Sequence, residues 1–247
     1  RRQHHKSSTQ TRLWHGAFSQ YNSGSRRAIG MTQWVAQTRT GETKCIAPYY
    51  YKDSVFQGFR GSHWLSGSCT QDYGSATLMP MMGRLKTNVA DYAVSFSHAD
   101  ETAQPHYYAL NLKQAQLKAE LTATARCGML KITALTDDTL FILITPNSNY
   151  AKAALSYNKN KETVFVENKV HRIYQGWGEL AGFSGYSAIQ FDKKIAVFGS
   201  NTEGVVFPKN ESVSNQAKMG FYVGFKMKKG RFYTSKLVHR SQILRGH

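Results

Sequence analysis

Residues 163–204 read TVFVENKVHRIYQGWGELAGFSGYSAIQFDKKIAVFGSNTEG, and the alternation within this stretch decides the fold class. TVFVE, YSAIQF and KIAVFG are short runs rich in β-branched, aromatic and small apolar residues, a composition that suits pleated, half-buried strands. DKK at 192 and GSNTEG at 199 separate them, and Asn, Asp and Gly clusters of this kind build turns between antiparallel strands. The pattern continues on both sides. FILIT near 141 and MGFYVGFKM near 219 read as strands, while DD at 137, NSN at 147 and NKNK at 158 read as turns. Short strands at regular spacing predict an all-β, twisted antiparallel β-sandwich. Residues 112–126, LKQAQLKAELTATAR, carry the Leu, Ala and Lys of an amphipathic helix, but their second half alternates, and 117–126 reads as a strand.

A sandwich of 247 residues is commonly one domain, so the expected organisation is a basic, disordered lead over 1–12 and a sandwich over 13–247. Apolar residues at 41% and aromatics at 13% supply enough burial to exclude a globally disordered chain. The most apolar stretch, TLFILITP at 139–146, has the length of one buried strand, which excludes a helical membrane span. The lead RRQHHKSSTQTR has no apolar segment behind it and is not a visible secretion signal. Cys45, Cys69 and Cys127 are too few and too far apart for a disulfide framework or a CxxC metal cluster, although one disulfide could form. The formal charge of +17 attracts nucleic acids and anionic glycans without specifying any of them. Its carriers are scattered, and no basic helix or RNA-binding aromatic signature accompanies them, so the chain does not read as a nucleic-acid binder.

The segment at 57–74, QGFRGSHWLSGSCTQDYG, departs from strand composition. Its glycines let backbone approach a ligand, Trp64 offers a flat apolar face on which a sugar ring can rest, and His63, Ser66 and Asp72 offer hydrogen bonds to hydroxyls. The same residues also fit a structural loop whose Trp plugs the core and whose His caps a turn. HRIYQGWG at 171–178 is a second cluster, in which Arg172, Gln175 and Trp177 bring charge, amide and indole together between two strands. There too a structural reading stands beside the functional one, with Trp177 covering the sheet. Asp100 with Glu101, and Asp137 with Asp138, are adjacent acidic pairs. Neighbouring carboxylates point to opposite sides of a strand or into solvent at a turn, so neither pair reads as catalytic.

The run GFRGSHWLSGSCTQDYGSATLMP resembles the signature of glycoside hydrolase family 92, whose members are mostly calcium-dependent exo-α-mannosidases. IGMTQWVAQTRTGETKCIAPYYY at 29–51 resembles that family's first pocket loop, and YAVSFSHADETAQPHYYALNL, ELTATARCGML and VHRIYQGWGELAGFSGYSAIQFDK resemble later segments in the same order. The resemblance covers residues 16–241 and implies a β-sandwich that precedes an (α/α)6 helical domain, with the active site between the two. It implies inversion, which needs one carboxylic acid and one carboxylate on opposite faces of the sugar. In the family those carboxylates and the calcium ligands lie mainly in the helical domain. No catalytic residue, metal ligand or cofactor is therefore expected in this chain alone, and calcium is expected only in the full-length enzyme.

What the resemblance assigns to this half is one wall of the terminal-mannose pocket, carried by His63, Trp64, Ser66, Cys69 and Asp72, with Gln33 and Trp34 from the earlier loop. The expected partners are mannose-containing glycans and the helical catalytic domain, and the expected location is secreted or periplasmic. The first pocket loop departs from the family pattern: Ala28-Ile29-Gly30-Met31 stands where Pro-Phe-Gly-Met is usual, which removes one flat surface. Two other function classes remain open at this point. A free-standing carbohydrate-binding or interaction module would bind glycans without a partner domain, and a polyanion binder would lose affinity steeply with salt.

Overall fold

A computed structural model of the chain describes residues 33–39, 47–62, 74–104, 106–124, 127–147, 152–169, 172–174, 177–180 and 183–243. In chain order, β1 (Gln33–Gln37), β2 (Val55–Phe56), β3 (Gly58–Ser62) and β4 (Ala76–Met82) come first. A single helical turn, α1 (Val89–Tyr92), precedes β5 (Val94–Ser95) and β6 (Glu101–Gln104). Then follow β7 (Tyr107–Leu112), β8 (Leu117–Ala123), β9 (Cys127–Ala134) and β10 (Asp138–Pro146). β11 (Ala153–Asn158), β12 (Thr163–Lys169), β13 (Arg172–Tyr174), β14 (Trp177–Leu180) and β15 (Phe183–Phe191) continue the chain. β16 (Val197–Thr202), β17 (Val205–Pro208), β18 (Ser212–Ser214), β19 (Gly220–Met227) and β20 (Phe232–Ile243) complete it.

Two antiparallel sheets form the sandwich: one of seven strands in the order β1-β3-β4-β10-β19-β16-β17, and one of nine in the order β18-β11-β12-β15-β20-β9-β8-β7-β6. The nine-stranded sheet has one dry and one wet face, and its sequence alternates accordingly. In β8, Leu117, Ala119 and Leu121 are buried while Lys118, Glu120 and Thr122 face outward. β9 repeats this with Leu130, Ile132 and Ala134 inside. Of the central strands of the other sheet, β4 and β19 are buried almost throughout, while β10 buries Leu140, Ile142, Leu143, Ile144 and Pro146, and all three read as largely apolar runs. The sheets meet through side chains such as Ile142, Ile144 and Phe225 on one and Ile189, Tyr233 and Leu237 on the other. The rings of Phe225 and Tyr233 stack with centroids 4.3 Å apart. Each fully buried side chain of this size stabilises by about 1.5–3 kcal/mol.

β8 lies within the strand expected at 117–126, since a turn at 113–116 with Gln116 at φ 55° stops the chain from running on as a helix. The strand expected from KIAVFG begins later, at Val197. Ile195 turns into the core and its N–H donates to the Glu162 carboxylate at 3.0 Å, so this part of the run packs as a loop. The turn expected at GSNTEG lies at its end, where Glu203 and Gly204 both have positive φ, and Gly199 to Thr202 are strand. Gly199 is required for packing: a Cβ there would lie 2.4 Å from the Phe207 carbonyl and 2.5 Å from the Tyr222 hydroxyl.

Candidate functional site

The strand registers collect several connections at one end of the sandwich. β3 ends at Ser62, paired with Gln33 at the start of β1, and β4 starts at Ala76, opposite Pro146 at the end of β10. In the other sheet, Lys169 at the end of β12 pairs with Ser184 near the start of β15, and Phe183 pairs with Ile243. The β3–β4 connection carries the glycine-rich motif, and the β12–β15 connection carries the second cluster. Both are therefore rooted at the same end, one in each sheet.

A buried polar box ties these roots together. The Asn168 side-chain amide, at 1% exposure, crosses between the sheets and donates to the backbone carbonyls of Ser75 (2.9 Å) and Asn147 (3.2 Å). Asn147 Nδ2 in turn donates to the hydroxyls of Ser75 (3.0 Å) and Thr77 (2.9 Å), and the Thr77 hydroxyl donates to Gln37 Oε1 at 2.7 Å. A buried side-chain amide that satisfies carbonyls in this way fixes geometry as well as adding stability. Beside the box the two backbones touch: a Cβ on Gly185 would lie 2.3 Å from the Gly74 carbonyl oxygen and 2.5 Å from Gly74 Cα. Only glycine at 185 lets β15 approach the foot of the motif so closely.

His63, Trp64, Ser66, Cys69 and Asp72 lie outside the described residues, as does Gln175. Gln33, Arg172 and Trp177 are described in their backbone. Gln33 opens β1 directly across from Ser62, and Arg172 and Trp177 open the two strands of a short hairpin, β13 pairing with β14. Trp34 is 1% exposed, and its indole fills the space over Gly128, where a Cβ would lie 2.7 Å from Trp34 Cδ1. Its Nε1 has no hydrogen-bond partner among the described residues. The box residues Ser75, Thr77, Asn147 and Asn168 were not legible as a set, because Asn168 and Ser75 are 93 positions apart. The single hint was polar side chains at strand ends beside the motif.

The acidic pairs are occupied elsewhere. Glu101 accepts from the Tyr108 hydroxyl at 2.7 Å and the Tyr49 hydroxyl at 3.2 Å, and His98 Nδ1 lies 2.7 Å from it. Burial and the adjacent Glu101 carboxylate push both tyrosines well above the ordinary phenol range. Asp100 instead pairs with Lys113 at 2.6 Å, and Asp137 with Lys228 at 2.9 Å. Nearby, Arg39 forms an ion pair with Asp53 and lies 4.2 Å over the Tyr50 ring, so the 47–53 segment is clamped to the end of β1. Among the described residues no group of three or more His, Cys, Asp or Glu side chains is placed to hold a metal ion. No helix among them is long and apolar enough to cross a membrane.

Residues 15–237 match the family model described as the glycosyl hydrolase family 92 N-terminal domain. No curated protein matches the chain. A family GH92 inverting mannosidase from Bacteroides thetaiotaomicron superposes with a TM-score of 0.72 at 23% identity, over 85% of this chain and 27% of that one. A family GH92 α-mannosidase from the same organism, in complex with mannoimidazole, gives 0.71 at 21% identity, over 91% and 30%. At these identities the likeness is one of fold. The chain spans less than a third of the length of either structure.

Proposed function

This chain belongs to the glycosyl hydrolase family 92 N-terminal domains, and from that premise we propose that it forms one wall of a terminal-mannose pocket in an α-mannosidase. The observation that supports this reading is the polar box with the Gly74–Gly185 contact, which brings Gly74 and Ser75, where the glycine-rich motif ends, against Asn168 and Gly185, which flank the β12–β15 connection. A sugar ring needs an apolar platform and several directed hydrogen bonds on one surface. Trp64 is the platform in this reading, His63, Ser66 and Asp72 reach the hydroxyls, and Arg172 and Trp177 close the surface from the other sheet. Cys69 lines the wall as a small thiol, and Gln33 stands at its rim.

The general acid, the general base and the calcium ligands are proposed to come from a helical domain outside this chain, so the chain binds without turnover. The reading also carries a secreted or periplasmic location. The test is calorimetric titration of the chain with methyl α-mannoside, beside Trp64→Ala and an aryl α-mannoside turnover assay. The expected result is weak, saturable binding that falls about tenfold in the variant, with no turnover. Binding unchanged by Trp64→Ala, with the variant folded, overturns the assignment.

A further inference from the structure

At the other end of the sandwich an open depression of about 510 Å³ lies on the outer face of the nine-stranded sheet, beside the β11–β12 turn. Its floor is Phe165, which β12 points to solvent with 41% of its surface exposed. The residues paired with Phe165 on the flanking strands are Ser156 and Ala188, both small, so neither neighbour covers the ring. The walls are polar. Ser156 and Asn160 bring a hydroxyl and an amide, and the Lys159 ammonium is ion-paired with Glu211 while lying 5.2 Å over the Phe198 ring.

These walls are held in place. Asn158 Oδ1 accepts from the backbone N–H groups of Asn160 (3.1 Å) and Lys161 (3.2 Å), which fixes the turn. The Glu211 carbonyl accepts from Tyr157 N–H at 2.9 Å, which fixes the opposite wall to β11. An uncovered aromatic ring bordered by a hydroxyl, an amide and a pre-formed ion pair matches the two-sided surface of a neutral pyranose, apolar on its C–H face and hydroxylated at its edge. The ion pair argues against an anionic ligand, because Glu211 already neutralises the lysine.

We propose that this depression is a second glycan-binding site, with Phe165 as its platform and Ser156, Asn160 and the Lys159–Glu211 pair as its hydrogen-bonding rim. It lies apart from the motif end of the sandwich and would hold a neutral oligosaccharide. The test is an amide-resolved NMR titration of the whole chain with mannotriose and with cellotriose, each to about 10 mM, a range suited to weak sugar binding. One or both sugars should move the amides of Ser156, Asn160 and Phe165. Phe165→Ala should weaken that response about tenfold, and Phe165→Tyr, which keeps the ring, should retain it. Trp64→Ala should leave these shifts unchanged, so loss of the motif-end site and loss of this one are read separately. Silence of these amides with both sugars, or a Phe165→Ala variant that titrates as the parent does, overturns the proposal.

Discussion

Gly185→Ala is the sharpest perturbation of the frame that holds the motif end. The new Cβ would sit 2.5 Å from Gly74 Cα and 2.7 Å from its carbonyl carbon. Carbon atoms rest at about 3.5–4.0 Å, so β15 and the foot of the β3–β4 connection must separate by about 1 Å. Overpacking costs about 1–3 kcal/mol where side chains can give, and here both partners are backbone, so a loss of about 3 kcal/mol is expected. With a urea slope of about 3 kcal/mol/M, the unfolding midpoint falls by about 1 M. Gly230→Ala is the contrast: its Cβ meets nothing within 4 Å and its φ of +74° leaves only backbone strain. That change should cost about 1 kcal/mol. The assay is urea unfolding of both variants, followed by methyl α-mannoside titration of the folded Gly185→Ala protein. A Gly185→Ala midpoint equal to that of the parent would refute the close approach on which the shared root depends.

Asn168→Ala leaves the carbonyls of Ser75 and Asn147 without their cross-sheet donor and should cost about 1–3 kcal/mol in the same unfolding assay. The hydrogen bond from Arg39 holds the Asp53 carboxyl below the usual range, against a smaller opposing effect of burial. A lowered folded-state value means the Asp53 contribution is present above about pH 4 and is lost as the pH falls below it. Amide protection over 47–53, taken relative to the intrinsic exchange rate at each pH, should therefore fall on acidification, and Asp53→Asn should remove that dependence. Burial and the hydrogen bond to Glu120 push the Tyr107 hydroxyl up to about 12. Tyrosinate absorbance should show Glu120→Gln bringing that titration down toward about 10.

The strand content was legible because burial sets its period. β10 reads as a largely apolar run because consecutive residues Ile142, Leu143 and Ile144, which point to opposite faces, are all buried, whereas β8 alternates since one face of its sheet is wet. What misled was glycine. Gly199 looked like turn chemistry beside Ser, Asn and Thr, yet its lack of a Cβ serves the approach of the Phe207 carbonyl and the Tyr222 hydroxyl in mid-sheet. The edge strands β17 and β18 were not foreseen either, because β17 is exposed throughout and β18 buries only Val213 in part, too little for a periodic signal. The motif was legible as unusual composition and through its family resemblance. Its anchoring was not, since Ser75, Asn147, Asn168 and Gly185 become neighbours only when the two sheets close on each other.

The central claim is that the 63–73 segment and the β13–β14 hairpin make one sugar-binding surface. A double-mutant cycle of Trp64→Ala and Trp177→Ala, read as methyl α-mannoside affinity, tests it directly. Residues that share a bound sugar should couple by about 0.5 kcal/mol or more, while independent sites add within about 0.3 kcal/mol. Coupling above the additive range is the predicted result, and strict additivity, or affinity untouched by both changes, would contradict it.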